Sequence, residues 1–262
     1  MDKLLTRSYV AVAAVNDDQV LQRNLLASPD IKSGQLLLVE CREFISASLA
    51  YNHGLASTQE DIVIFVHQDV YLPKGWLAKV DQKISELEQS DPHWAVLGVF
   101  GIKPNGEEVG HVWCSGLKRE LNSNSDKINE VRSVDELAFL FRRSTNCKFD
   151  AMLPDWHLYG TDIILEAYAR GLKSYVTDIP VIHNSRPVYS LYGGYVKAYL
   201  YMMKKWRTYL PVYTTIVPLG QYGYWLWRLI LRAYLKRKTI ERPKASLLDP
   251  REIAIRLKFE TE

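Results

Sequence analysis

The sequence is poor in the markers that usually give a function away. Only three cysteines occur in 262 residues (Cys41, Cys114 and Cys147), and no two are spaced as CxxC. Neither a disulfide framework nor a zinc knuckle is indicated, and a reducing cytoplasm is the expected compartment. No sign of charge dominates. The 33 Lys and Arg against 30 Asp and Glu leave a formal charge of +3, too weak a surplus for a nucleic-acid partner. There is no GxGxxG, no Walker sequence and no GxSxG, which removes the dinucleotide fingerprint, the P-loop and the nucleophile elbow. The apolar run near the N-terminus is short and reads as a first strand, not as a signal peptide.

What is present is ordinary globular material, with 47% apolar and 24% charged residues, enough for one large domain or a domain with an appendage. Compact apolar runs at Ser8–Val15, Gln35–Glu40, Asp61–His67, Trp94–Phe100, Leu137–Phe141 and Ser174–Thr177 read as strands. Helical spacing appears at Ile45–Ala56, Trp76–Glu88 and Thr161–Arg170. This alternation predicts an α/β fold with a mainly parallel sheet and helices on both faces. Ligands of such sheets bind outside the carboxyl ends of the strands. The residues to inspect are therefore Asn16 and Asp17, Glu40, the tripeptide His67-Gln68-Asp69, and His183.

The last third differs. From Lys197 to Lys238 there are nine Lys or Arg and no acid before Glu241, which favours an anionic surface or substrate. The twenty uncharged residues between Arg207 and Arg228 contain two Pro, two Gly, a Gln and three Thr, a poor composition for a membrane span. Trp225–Lys238 reads better as an amphipathic helix. Arg228, Arg232 and Lys236 fall on one face, and Leu226, Leu229, Ile230 and Ala233 cover the other. Such a helix either lies at a membrane interface, giving peripheral contact through 189–238, or packs on its own domain with a solvated basic face.

The central strand carries the chemistry. DIVIFVHQDV delivers Asp69 to a strand end, where a carboxylate suits a hard divalent cation that shares its shell with phosphate oxygens. A strand-end acid serves equally as a helix cap or a loop acid. Asp162 stands at the start of a helix, where capping is its plain role. His183 follows another strand, as a third ligand or as a hydrogen-bonded polar residue. Two carboxylates and a His near strand ends form a more specific set than any one of them.

The pieces AAVND (Ala13–Asp17), ASLAYNHGLAS (Ala47–Ser57), FVHQDVYLP (Phe65–Pro73) and HLYGTDIILEAYARGLKSYVTDIPVIHNS (His157–Ser185) together resemble the GT-A glycosyltransferases of the family-two type. They resemble in particular the bacterial subgroup that reads His-Gln-Asp-Val in place of Asp-x-Asp. The resemblance covers about residues 8–190. It implies a GT-A, Rossmann-like domain over 1–190 and a helical, aromatic and basic C-terminal extension over 191–262. It also implies transfer of a sugar from a nucleotide-diphosphate donor, a UDP-sugar favoured, to the hydroxyl of a glycan or lipid-linked acceptor. The reaction would be inverting, in surface polysaccharide or glycoconjugate synthesis, in the cytoplasm or at the inner membrane face. Asn16 and Asp17 would sit near the base, Glu40 near uridine or ribose, and Asn52 in the helix lining the donor pocket. His67, Gln68 and Asp69 would meet the donor, Asp69 and His183 the metal, and Asp162 would be the catalytic base. His67 stands where the first acid of Asp-x-Asp does, and imidazole suits manganese better than magnesium.

Two other classes use the same architecture. A GT-A-like module can hold a nucleotide or glycan without turnover. A nucleotidyltransferase wants a Gly-rich basic loop after the first strand, whereas Asn16-Asp17-Asp18-Gln19 is acidic and lacks glycine.

Overall fold

The computed structural model of the chain describes residues 5–122, 126–186, 193–235 and 248–261, and it joins the apolar runs into two sheets. The first half contains β1 (Tyr9–Ala14), α1 (Asp18–Arg23), α2 (Pro29–Lys32), β2 (Leu37–Cys41), α3 (Ala47–Ala56), β3 (Ile62–Val66), β4 (Val70–Tyr71), α4 (Trp76–Ser90), β5 (Val96–Gly98), β6 (Phe100–Ile102), β7 (Glu108–Cys114) and β8 (Arg119–Asn122). There follow β9 (Asn129–Glu130), β10 (Ser133–Val134), β11 (Ala138–Arg142), α5 (Tyr159–Ala169), β12 (Ser174–Val176), β13 (Val181–His183), α6 (Gly194–Lys205), α7 (Tyr224–Leu235) and α8 (Pro250–Arg256).

The main sheet has the order β2-β1-β3-β11-β5-β12-β9. The first three strands are parallel, as expected, but β11 runs antiparallel to both β3 and β5. The second sheet, β10-β6-β7-β13-β4 with β8 beside β7, was not legible as strands. The expected single strand Trp94–Phe100 is in fact two: β5 joins the main sheet and β6 the second, with the chain changing sheets at Val99.

β3 is buried at all five positions, because it has a layer on each side. Val63 and Phe65 face one core cluster, and Ile62, Ile64 and Val66 face the other. Each such side chain stabilises the fold by roughly 1.5–3 kcal/mol. Helix α4 covers the second cluster with Leu77, Val80, Ile84 and Leu87, at spacings of three and four. Helix α6 presents Tyr195, Ala198, Tyr199 and Met202 to the first cluster, so this part of the C-terminal segment completes the same core that Phe65 occupies. Among the described residues no helix is long and apolar enough to cross a membrane.

The turn between the sheets depends on Gly110, which pairs with Phe100 at φ +109°. A Cβ there would overlap the carbonyl oxygen of Val99 and lie 2.7 Å from Phe100 Cα. Both obstacles are backbone and cannot rotate away. Gly110→Ala is expected to lose about 3 kcal/mol, read as a lower thermal midpoint.

Candidate active site and metal centre

Parallel pairing of β1 with β3 brings two strand-end loops to one edge, and Gln68 ties them together. Its Oε1 accepts from the backbone N–H of Asn16 (3.0 Å) and Asp17 (3.1 Å), and its Nε2 donates to Asn16 Oδ1 (2.6 Å). Asp17 Oδ1 in turn caps α1 by accepting from Gln19 N and Val20 N. The loop that carries Asn16 and Asp17 is thus fixed in place before any ligand arrives.

Three residues after His67 the chain enters β4, which pairs antiparallel with β13. The register sets His183 opposite Val70, and Asn184 N donates to Asp69 O at 2.8 Å. This pairing brings together residues more than a hundred positions apart. One ligand atom each from His67, Asp69 and His183 lies within 4.8 Å of the others. His183 Nε2 is 3.5 Å and His67 Nδ1 4.0 Å from Asp69 Oδ1. The Tyr159 hydroxyl is 2.8 Å from His67 Nε2 and 3.2 Å from the Glu136 carbonyl oxygen. With its proton on Glu136 O, it accepts from His67 Nε2–H, and Nδ1 on the Asp69 side then carries the lone pair a metal ligand needs.

The electrostatics agree with the geometry. Burial pushes the Asp69 carboxyl up, but His183 and His67 outweigh it and hold the pKa at about 2. Burial pulls His183 down, but Asp69 holds its pKa well above the ordinary value. Burial dominates for His67 and lowers it. An ionised carboxylate between two imidazoles is a donor set for a divalent cation, whose binding would release the His183 proton.

The three residues stand at the wall of a cavity of about 950 Å³, which Asn16, Asp17 and Gln68 also line. Three sequence-based expectations do not reach it. Glu40 is the next-to-last residue of β2, the edge strand, and its carboxylate receives Arg42 at 2.6 Å. The amide of Asn52 is spent on the backbone of Phe149, donating to its O (2.8 Å) and accepting from its N (3.1 Å). Asp162 is 1% exposed and accepts from Lys205 Nζ and Trp206 Nε1, both at 2.7 Å. Burial raises its pKa against the opposing pull of Lys205. A base must reach the acceptor hydroxyl, and from this position Asp162 does not line the cavity.

Besides Asp17 and Asp69, the acids that line it are Glu108, Asp135 and Glu136, and His157 shares the lining; Asp135 and Glu136 are adjacent in sequence. They precede β11, and because β11 is antiparallel its N-terminal end lies where its neighbours have their carboxyl ends. Glu136 Oε1 accepts from Gly160 N at 3.3 Å, at the start of α5. Burial, then the adjacent Asp135, push its pKa up to about 8. Among the basic residues, Arg23, Arg119 and Arg186 line the cavity. Arg143 is instead engaged with Glu60 O, Leu55 O and Thr58, and Arg142 with Pro92 O. Lys74 also lies outside the lining.

No family model matches the chain. A curated protein of Fuscovulum blasticum, described as ATP synthase subunits region ORF 6, is 26% identical over 158 residues, 57% of this chain and 61% of that one. Among solved structures, GalNAc-T7 with UDP, GalNAc and Mn2+ matches at a TM-score of 0.51 and 12% identity, covering 78% of this chain and 50% of its own. The mannosyltransferase PcManGT from Pyrobaculum calidifontis, with GDP-Man and Mn2+, gives a TM-score of 0.44 at 12% identity, over 95% and 68%. The chain therefore spans about three fifths of the curated relative and half of the GalNAc-T7 chain. With that likeness and the topology above, the α/β fold is GT-A-like, completed by C-terminal helices.

Proposed function

We propose that the chain is a sugar-nucleotide-dependent glycosyltransferase of the family-two type. The observation that carries the reading is the cluster of His67, Asp69 and His183 on the wall of a cavity at the carboxyl ends of β1 and β3, in a GT-A-like fold. The fold match to a transferase crystallised with UDP and Mn2+ supports it. Asn16 and Asp17 border the nucleotide, a UDP-sugar favoured, and Arg186, Arg23 and Arg119 supply positive charge for the diphosphate. His67, Asp69 and His183 would hold the cation, and two imidazoles with one carboxylate favour Mn2+ over Mg2+. When bound, the cation would neutralise the leaving diphosphate.

The acceptor hydroxyl must lose a proton as the sugar moves, and in an inverting displacement the base faces the side of the ring away from the leaving group. We assign that role to Glu136 in place of Asp162. Its elevated pKa puts it near the working pH, where a base is most effective. Asp162 then acts through Lys205, holding α6 against α5. The resemblance and the basic C-terminal third favour a glycan or lipid-linked acceptor in surface glycoconjugate synthesis, at the cytoplasmic face of a membrane.

A thermal-shift screen of nucleoside diphosphates and their sugars, with and without Mn2+, tests the donor site, since a ligand of the native state raises its melting temperature. Turnover tests the base. Wild-type kcat/KM is expected to rise with pH through about 8, because only ionised Glu136 accepts a proton. Glu136→Gln keeps an acceptor for Gly160 N but should lose roughly 10²–10⁴-fold in kcat/KM together with that pH limb. A protein that binds nucleotide and turns over no donor is the second reading, a non-catalytic GT-A-like module. The replacement of an acid by His67 is what motivates it.

A further inference from the structure

Helix α7 has two faces of different character. Trp225, Leu229 and Ile230 pack on the core and Leu226 is 2% exposed. The opposite face shows Tyr224 at 60%, Trp227 at 68% and Leu231 at 57% exposure, preceded by Tyr222 at 88%. At 100° per residue Tyr224, Trp227, Arg228 and Leu231 share one stripe. Arg228 lies over the Tyr224 ring, 5.6 Å from its centroid. Arg232 follows one helical turn later, and Lys236, Arg237 and Lys238 continue the sequence, with no acid from Lys197 to Lys238. The side chains from 232 to 235 and residues 236–247 lie outside the described part. The inward side of the same helix reaches the cavity, where Leu229 joins Thr215 and Ile216 in its lining.

We propose that the exposed face of α7 docks the protein on an anionic lipid bilayer, with the cavity mouth turned to the membrane surface. Large aromatic and aliphatic side chains set beside the Arg228 guanidinium match a headgroup layer that is apolar beneath and negatively charged above. An exposed Tyr, Trp and Leu in one helical stripe, with the exposed Tyr222 just before it, make an apolar patch that marks an interaction surface. Because Leu229 lines the cavity and Trp227 stands on the exposed face of the same helix, docking through α7 would hold the cavity close to the membrane surface. This deepens the proposed function, on which it rests, by naming a membrane-embedded acceptor as the class delivered to the site.

The test is sedimentation of the full chain with vesicles of phosphatidylcholine alone or with about one third phosphatidylglycerol. Binding is expected to be at least roughly tenfold stronger on the anionic vesicles and to weaken with salt. Trp227→Glu with Leu231→Glu should weaken it roughly tenfold or more, and Arg228→Glu by a smaller factor, with unchanged circular dichroism. Equal binding of the double variant and wild type overturns the proposal, as does no binding to either vesicle. If the wild type is a dimer that the double variant converts to monomer, with no vesicle binding, the face joins two copies and the proposal is also wrong. UDP binding measured without vesicles is expected to be the same in wild type and double variant, so failure of the surface and failure of the donor site give different results.

Discussion

Asp69→Ala is expected to lower transfer roughly 10³-fold and to remove the Mn2+ dependence of nucleotide binding. Asp69 is the carboxylate between two imidazoles. Without it the two histidines are neutral donors that repel each other once protonated, and a divalent cation loses its only anionic ligand in the cluster. The fold should survive. The side chain is 24% exposed, and the main-chain contact that sets the β4–β13 register, Asn184 N to Asp69 O, does not involve the side chain. Asp69→Asn separates charge from shape, since it keeps the volume and removes the anion. If it falls as far as Ala, charge is what matters. The check is donor turnover and nucleotide affinity with and without Mn2+, beside a melting curve.

Asp162→Asn is expected to act mainly on stability. The carboxylate is nearly inaccessible and is held by Lys205 and the Trp206 indole. Lys205 also meets Asp150 at 2.7 Å, so one cation on α6 is shared by two acids. Removing one partner of a buried pair costs about 3 kcal/mol or more, and for a chain of this size that lowers the melting temperature by roughly 6–12 °C. At a temperature where both proteins are folded, the variant should keep kcat within about tenfold of wild type, far from the loss expected on removing a base. A variant with wild-type melting and a thousandfold loss of kcat would restore Asp162 to the catalytic role that the family resemblance implies.

The parts of this architecture that were legible are those set by local rules. Val63 and Phe65 against Ile62, Ile64 and Val66 make a strand too apolar to be anything but central, so His67-Gln68-Asp69 had to emerge at a strand end. Asn16 and Asp17 emerge from β1 in the same way, whereas His183, expected just after a strand, is the last residue of β13. Pairing over long separations was not legible. The β4–β13 register, which sets His183 beside Asp69, is written in two residues of β4 and three of β13, too short for any periodicity to register. The antiparallel direction of β11 was equally invisible. It hid Asp135 and Glu136, because the carboxyl-end rule for parallel sheets points past the end of each strand and these acids stand before the start of one. Glu40 misled for a related reason: it stands near the carboxyl end of a strand, but β2 is at the sheet edge, two strands from the one that leads to Asp69. Asp162 misled because a helix-start acid reads the same whether its carboxylate faces a cavity or a lysine from a helix forty residues on.

The central claim is that His67, Asp69 and His183 hold a divalent cation through which the cavity takes a nucleoside diphosphate. Calorimetric titration of UDP into the wild-type chain and Asp69→Ala, each with Mn2+ and with a chelator, tests it most directly. One site per chain is expected for the wild type with Mn2+, with binding at least roughly tenfold weaker on chelation and about equally weak in the variant with or without Mn2+. Equal UDP affinity in all four titrations, or none in any, would contradict it.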